Sequence, residues 1–321
     1  MLYYYDETAD QGFVDKTSSL SEYGILAGIS FPERVKEELE ELIEGILIKF
    51  LDSDYKKLHC TEIFKNDQNE ELRQALYSSL QEFQEYLIIY EGQYPVGVKS
   101  FEESTSKIIE QNKPELPDHI KVQHSKDRTR LYISLLTGII VKLEECAIAE
   151  NEEDVHMISD RLDQKVQNEA QELLSDLRAE TKEVTARAFD METKTPLTRT
   201  YTIKRKGELF TVRRVKDISF LTEVTPISFA ADFICFELLR HFRRKMKDQQ
   251  PINFHSEESL EGFPLASKIA FKGDNYFSDM VFNPTIGGLL EHVHKLGPGK
   301  VARLSLRYRH TTFPVRLCLT L

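Results

Sequence analysis

Short apolar segments that end in an acidic residue alternate along this chain with segments of helical spacing. Residues 2–6 (LYYYD) and 155–160 (VHMISD) are rich in aromatic or branched apolar residues and close on an aspartate, which is typical of buried strands. Residues 23–31 are a further strand, antiparallel to the first. Residues 32–50 and 129–150 repeat apolar residues every three to four positions, which predicts amphipathic helices. We therefore predict an α/β fold in which helices flank a mixed sheet.

The predicted elements divide the chain into a main domain, an insertion and an appendage. The main domain spans residues 1–250 and contains a helical insertion or lid at about 112–150, because a polar segment with two prolines leads into the second long helix. Alternating apolar and basic residues around Gly207 predict a hairpin over residues 200–216. Residues 251–321 have weak periodicity apart from a strand-like end, which predicts a C-terminal appendage.

Composition excludes several classes of protein. With 40% hydrophobic and 30% charged residues, the chain is typical of a globular protein and not of a disordered one. The first residues lack a basic segment followed by an apolar one, so we predict no secretory signal. The longest apolar run, residues 131–141, is far shorter than the roughly 20 residues that cross a bilayer, so we predict no membrane segment. The cysteines are widely separated and form no CxxC pair, which argues against a zinc knuckle or a disulfide framework and favours reduced thiols in the cytoplasm. They are Cys60, Cys146, Cys235 and Cys318.

Charge is distributed unevenly. The net charge is -11, yet residues 199–247 hold 12 Lys and Arg against 5 Asp and Glu. A basic segment of this kind could follow a phosphate backbone, whereas a solvated helix or hairpin face explains it equally well. The candidate nucleic-acid contacts are Lys204, Arg205, Lys206, Arg213, Arg214, Arg243 and Arg244, with Lys245 beside them.

Two of the candidate site residues stand at strand ends. Asp6 leaves the first strand together with Glu7, and a carboxylate on a strand is held rigidly enough to bind a metal. Asp160 ends the strand at 155–160. A solvated strand end for Asp6 and a helix cap for Asp160 are the structural alternatives.

Two other candidates have a different sequence context. His59 and Glu62 are three residues apart and would share one helical face, a spacing that suits a carboxylate ligand with a proton-transferring histidine, a zinc pair, or a chance surface pair. Asp232 lies in the apolar helix at 227–242, directly after two alanines that leave room for a ligand. A buried unpaired carboxylate is costly, which favours a functional role.

Carboxylates that converge from different elements repel each other unless cations neutralise them. Mg²⁺ and Mn²⁺ prefer carboxylate oxygens, and such ions can activate the attacking and leaving oxygens of a phosphodiester. The acidic candidates thus predict a Mg²⁺ or Mn²⁺ site.

Five short motifs occur in an order that resembles the bacterial domain-of-unknown-function 3800 family. The resemblance covers about residues 1–247, with Thr8 where the family has serine. The motifs are Asp6-Glu7-Thr8, Leu26-Ala27-Gly28-Ile29 with Pro32, Leu58-His59 with Glu62, Ile158-Ser159-Asp160-Arg161, and Ala231-Asp232-Phe233-Ile234.

The resemblance implies a ribonuclease-H-like sheet and a phosphodiesterase-like acidic site, in a family suspected of roles in phage defence or mobile elements. It implies that Asp6, Asp160 and Asp232 are metal ligands. It also implies that Glu62 is a ligand or a water-orienting group, and that His59 transfers a proton.

Three functional hypotheses remain open at the level of sequence. The first is a metal-dependent nuclease acting on DNA or RNA. The second is a non-catalytic scaffolding subunit that holds a protein partner through its long helices, residues 129–150 especially, and through the C-terminal appendage. The third is a different hydrolase that uses His59 and the acidic residues on a small phosphorylated substrate.

Overall fold

The structure is a computed structural model that describes most of the chain. The described residues are 1–8, 23–51, 59–65, 69–95, 97–98, 120–123, 130–160, 162–204, 212–246, 252–254, 256–270, 304–308 and 311–315. The strands are β1 (Leu2–Glu7), β2 (Gly24–Phe31), β3 (Leu87–Gln93), β4 (Ile120–Gln123), β5 (Val155–Ser159), β6 (Thr181–Asp190), β7 (Thr195–Lys204), β8 (Val215–Phe220), β9 (Leu304–Tyr308) and β10 (Thr311–Val315). The α-helices are α1 (Lys36–Leu51), α2 (Cys60–Ile63), α3 (Glu70–Glu82), α4 (Leu131–Ala149), α5 (Gln164–Arg178), α6 (Pro226–Lys245) and α7 (Glu257–Leu260), with 3-10 turns at Glu33–Val35 and Ala266–Lys268.

A five-stranded mixed sheet forms the centre of the molecule, in the order β3-β2-β1-β5-β8. Strand β2 pairs antiparallel with both β1 and β3, whereas β5 and β8 continue the sheet parallel to β1. The predicted α/β class, the mixed sheet and the antiparallel pair at the N-terminus are confirmed. Strand β1 is the point where the two halves of the sheet meet.

Helices cover both faces of this sheet because the strands carry apolar side chains on both sides. Tyr3 and Tyr5 of β1 are buried in a cluster with α4 and α5, which we call the α4 face. Leu2 and Tyr4 belong to a second cluster with α1, α3 and α6, which we call the α6 face. Alternation along a strand places Asp6 on the α6 face and Glu7 on the α4 face.

Helix α4 is part of the core and not a peripheral insertion or lid. The predicted helix at 129–150 is confirmed, but twelve of its nineteen residues are buried, and it packs on the sheet. Its sequence is apolar on nearly all sides, which suits a helix enclosed between other elements. The preceding segment was predicted as a connector throughout, yet residues 120–123 form strand β4, which pairs with β6.

The prediction of a hairpin around Gly207 was wrong. The hairpin joins β6 to β7 through residues 191–194, and β8 belongs to the central sheet. The Asp190 side chain accepts hydrogen bonds from the backbone N–H groups of Glu192 and Thr193, and Lys194 adopts a left-handed conformation with φ of 54°. These contacts of Asp190 and the conformation of Lys194 form the turn between β6 and β7. Gly207 lies outside the described residues.

The first part of the predicted C-terminal appendage completes the core of the main domain. Phe254, Leu260, Phe263, Leu265 and Ile269 are buried in the cluster on the α6 face. The boundary predicted at residue 250 therefore cuts through one core. Further along, β9 and β10 pair as a hairpin. Strand β9 overlaps the strand-like segment predicted at residues 301–307, and all but the first residue of the segment predicted at 315–321 lies outside the described residues.

Both edge strands of the central sheet are covered within the molecule. Along β8, the carbonyl of Lys216 accepts a hydrogen bond from Arg178 Nη1 at 2.8 Å, and the carbonyl of Ile218 accepts one from Gln171 Nε2 at 2.6 Å. Along β3, Ile88 forms a parallel bridge with Ile269, and its carbonyl accepts a hydrogen bond from the Ala270 N–H at 3.0 Å.

We expect Gly28→Ala to destabilise the fold by about 3 kcal/mol, because overpacking at a rigid contact forces the backbone to move. A Cβ at Gly28 would lie 2.1 Å from the Tyr4 carbonyl oxygen and 2.8 Å from Tyr5 Cα on the paired strand. Gly45→Ala in α1 is the matched control, because nothing lies within 4 Å of its added Cβ. This control should gain about 0.5–1 kcal/mol. Equal urea midpoints for the two variants would contradict the prediction.

Candidate metal-binding and catalytic site

Two aspartates stand side by side at the carboxyl ends of adjacent parallel strands. Tyr5 of β1 is the register partner of Ser159 of β5, so Asp6 and Asp160 are the next residues along. Asp6 follows Tyr4 on the α6 face, and Asp160 continues from Ile158, which packs against the same cluster. Both aspartates are half-buried. The sheet thus directs two carboxylates to one end of its α6 face.

Helix α6 brings a third carboxylate to the same place. Thr225 caps its start, where the hydroxyl accepts a hydrogen bond from the Ser228 N–H at 3.2 Å, and Pro226 occupies the first turn. Ala230 and Ala231 are fully buried against the sheet, while the Asp232 side chain is 19% exposed. The small alanines let the helix approach β1 closely, so that Asp232 meets Asp6.

The contact between Asp6 and Asp232 is an acid pair. Burial raises the pKa of the Asp6 carboxyl well above its ordinary value. The negative charges of Asp232 and Glu7, and a hydrogen bond with Asp232, raise that pKa further. Two carboxylates this close cannot both ionise cheaply, so the pair must share a proton or bind a cation.

The short helix α2 brings the predicted histidine to this pair. The Cys60 N–H donates a hydrogen bond to Asp232 Oδ2 at 2.9 Å, and His59 Nδ1 lies 3.8 Å from the same oxygen. The His59 side chain is 64% exposed. The nearby Asp232 carboxylate raises the pKa of His59 against the opposing effect of burial, and the charges of Asp160 and Glu62 act in the same raising direction.

Four of the five predicted site residues therefore gather at one end of the α6 face: Asp6, Asp160, Asp232 and His59. Glu62 is nearby, but its exposed carboxylate accepts a hydrogen bond from the His59 N–H at 3.3 Å and so caps α2. Among the residues that the structure describes, no group of three or more His, Cys, Asp or Glu side chains is arranged to hold a metal ion. The local arrangement is an acid pair with a histidine and a neighbouring aspartate.

The predicted basic residues do not join the site. Arg213 and Arg214 precede β8, at the opposite end of the parallel strands from Asp6 and Asp160. Arg214 Nη1 donates to the carbonyl of Ala147 at 2.6 Å, so it ties β8 to the end of α4. Arg243 and Arg244 are eleven and twelve residues beyond Asp232 on α6, which is about 17 Å along a helix. Lys204 ends β7 in the three-stranded sheet, and Arg205 and Lys206 lie outside the described residues.

Sequence reasoning missed the part played by Cys60. The cysteine was interpreted as a reduced thiol, and it is indeed free and buried, yet its backbone N–H fixes the Asp232 carboxylate. A backbone donor leaves no mark in the amino-acid sequence, so only the position of Cys60 directly after His59 could have drawn attention to it.

Comparison with known proteins identifies no relative of this chain. No family model, no curated protein and no solved structure matches the chain. In the described part of the chain, no helix combines the length and the apolar composition that a membrane crossing requires.

The acid pair predicts an unusual pH dependence of stability in a metal-free buffer. The pKa of Asp6 is higher in the folded than in the unfolded chain, so protonation favours the folded state. The contribution of Asp6 to stability should fall as the pH rises from the ordinary carboxyl range through the raised folded pKa, by up to about 1.4 kcal/mol per pH unit. Urea unfolding of the wild type and of Asp6→Asn across this range measures the difference. A difference that does not change with pH would contradict the acid pair.

Proposed function

We propose that this protein is a divalent-metal-dependent nuclease that hydrolyses phosphodiester bonds. The observation that carries the proposal is the meeting of Asp6 and Asp232 beside His59 at the end of β1. An acid pair of this kind is destabilised by its own charge, and enzymes retain such pairs where a cation or a proton is part of the chemistry.

The residues fit a hard divalent cation with few protein ligands. Mg²⁺ is usually held by one or two carboxylates together with waters and substrate phosphates, and not by a complete protein cage. Asp6 and Asp232 would supply these carboxylates, with Asp160 beside them. A Mg²⁺ or Mn²⁺ ion held there would supply Lewis-acid polarisation of a phosphoryl oxygen and would lower the pKa of a bound water.

His59 and Glu62, which surround the acid pair, have supporting roles in the proposed reaction. Asp232 Oδ2 lies 3.8 Å from His59 Nδ1, and the His59 side chain is exposed enough to reach a bound substrate. The Asp232 carboxylate favours the protonated form of His59, and a protonated imidazole could donate its proton to the leaving oxygen of a cleaved phosphodiester. Glu62 fixes the start of α2 and so supports the position of His59.

The architecture and the motifs support the finer classification that we propose. A mixed sheet with helices on both faces, and with its acidic residues at the junction of the antiparallel and parallel halves, is compatible with a ribonuclease-H-like fold. The motifs that resemble the domain-of-unknown-function 3800 family include all four gathered residues, and membership would suggest a role in phage defence or in a mobile element.

One observation favours a second candidate function, the hydrolysis of a small phosphorylated substrate. The described Arg pairs lie away from the acidic site, whereas a long nucleic acid is normally held by basic residues along its path. A scaffolding role through α4 receives no such support, because that helix is buried.

The test is a substrate panel on the purified full-length chain. Single- and double-stranded DNA and RNA, nucleotides and a generic phosphodiester are incubated with Mg²⁺, Mn²⁺ or EDTA. We expect cleavage of a polynucleotide with Mg²⁺ or Mn²⁺ and none with EDTA. Cleavage of small esters alone would favour the second candidate, and the absence of any cleavage would contradict both.

Metal binding can be measured without activity. Mn²⁺ at about a hundred times its Kd should raise the free energy of unfolding of the wild type by about 2.7 kcal/mol. Asp6→Asn should lose most of this gain. Equal stabilisation of the wild type and Asp6→Asn by Mn²⁺ would show that the cation binds at another site.

A further inference from the structure

A buried charged cluster connects α3 and α6 close to the site. Arg73 Nε lies 3.0 Å from Glu237 Oε1, and the two side chains are 3% and 2% exposed. The Tyr77 hydroxyl donates a hydrogen bond to Glu237 Oε2 at 2.8 Å, and Arg73 also pairs with Glu70. Burying charges is costly even when they are paired, so such a cluster often fixes geometry more than it adds stability. The proposed chemistry does not use any of these groups.

The cluster holds the end of α2 through one aromatic ring. The Arg73 guanidinium lies 5.0 Å from the centroid of the Phe64 ring, a cation–π distance. The same ring contacts Phe233 and Phe236 of α6, with centroids 5.6 and 6.0 Å away. Phe64 is 2% exposed and directly follows α2. The end of α2 is therefore enclosed between Arg73 and the helix that carries Asp232.

Helix α2 depends on such anchors. It has only four residues, and helices this short do not form without tertiary support. Its first N–H, that of Cys60, is bound by Asp232, and the carbonyl of its last residue, Ile63, accepts a hydrogen bond from Asn69 Nδ2 at 2.8 Å. Contacts at both ends thus determine where His59 lies relative to Asp232.

We propose that Arg73 is a positioning residue that holds Phe64 against α6 and thereby keeps α2 in register with Asp232. Glu237 fixes Arg73 in this position, because an ion pair with two buried partners allows the guanidinium little freedom. The effect on catalysis rests on the proposed function, whereas the effect on α2 does not. Arg73 touches no reacting group and acts only through Phe64 and α2.

The experiment measures amide hydrogen exchange at Cys60 by NMR in the full chain. Arg73→Met with Glu237→Gln removes both charges, so that neither is left buried alone, and the new amide oxygen can still accept the Tyr77 hydrogen bond. We expect the Cys60 amide to exchange about tenfold faster than in the wild type, which corresponds to about 1.4 kcal/mol and is the scale of a buried cation–π interaction such as that with Phe64. The amides of β1 should exchange at unchanged rates.

Two further variants separate this effect from general destabilisation. Phe64→Leu keeps an apolar side chain but removes the ring, and it should accelerate Cys60 exchange to a similar extent. Lys142→Met with Glu91→Gln is the matched control, because it removes an equally buried ion pair on the α4 face, where Lys142 Nζ lies 5.5 Å from the Tyr90 ring centroid. This control should leave the Cys60 amide unchanged relative to the amides of β1.

The outcomes are distinct. Unchanged Cys60 exchange in Phe64→Leu, or equal acceleration in the matched control, would overturn the inference even if the double variant of Arg73 failed to fold. Where the wild type cleaves a substrate, the Arg73 variant should lose about tenfold in kcat with little change in KM, since misplacement costs rate more than binding. A wild type that cleaves nothing would reject the proposed function and leave the exchange result to decide the role of Arg73.

Discussion

Asp232→Asn should reduce divalent-metal-dependent cleavage at least about a hundredfold, the scale of loss that a misplaced or missing site group produces. The amide removes the charge that the cation and His59 require. The amide oxygen can still accept the Cys60 hydrogen bond, now 2.9 Å long, so the fold should persist. Asp6→Asn should lose activity to a similar extent and should gain stability at neutral pH in EDTA, because the acid pair is gone. Rates at saturating Mn²⁺ and urea midpoints measure the two effects.

A carboxylate elsewhere on the same sheet is the control for this prediction. Asp217 on β8 contacts His156 Nδ1 through Oδ2 at 2.8 Å, and both side chains are about half-exposed. His156 precedes Asp160 by four residues on β5, about 13 Å along a strand. Asp217→Asn should therefore retain cleavage. Equal loss in Asp217→Asn and Asp232→Asn would contradict the assignment of the site.

Lys142→Met should destabilise the protein by about 3–5 kcal/mol, the usual cost when one partner of a buried ion pair is removed. Lys142 Nζ lies 2.6 Å from Glu91 Oε2, with the side chains 3% and 0% exposed, and donates to the Tyr90 carbonyl at 2.6 Å. Without the ammonium group, the Glu91 carboxylate is left without its buried countercharge. Urea unfolding at neutral pH measures the loss.

The double variant tests the cause of that loss. Lys142→Met with Glu91→Gln removes both charges and should recover most of the stability, because a neutral amide is much cheaper to bury than a carboxylate. If the single and double variants were equally unstable, poorer packing of the side chain at position 142 against α4 and β3 would be the cause, and not the uncompensated charge.

The sheet was predictable because its strands carry their own signals. Strand β1 has aromatic residues that fill both faces, and the apolar residues of β5 lead directly to Asp160. Once these two strands are parallel neighbours, the meeting of Asp6 and Asp160 follows from register alone. The alanines before Asp232 were interpreted as room for a ligand, whereas in the structure they are buried and pack against the sheet.

Other features depend on contacts that no local pattern encodes. Helix α4 was interpreted as an insertion because a polar segment precedes it, but its lack of a polar face decides that it lies in the core. The basic residues of 213–214 are close to Asp232 in sequence, yet they enter the sheet at the opposite end from the carboxylates. The cation–π contact between Arg73 of α3 and Phe64 links α3 to the end of α2, and neither residue stands out in the sequence.

The closed edges of the central sheet determine how this molecule can meet others. Exposed strand edges recruit strands from neighbouring molecules and lead to aggregation, but here Gln171 and Arg178 occupy the outward carbonyls of β8, and residues 269–270 lie along β3. A chain shortened at residue 250 would open the β3 edge and strip the aromatic core of Phe254. We therefore expect the truncated chain to associate with itself more readily than the full chain, which size-exclusion chromatography would measure.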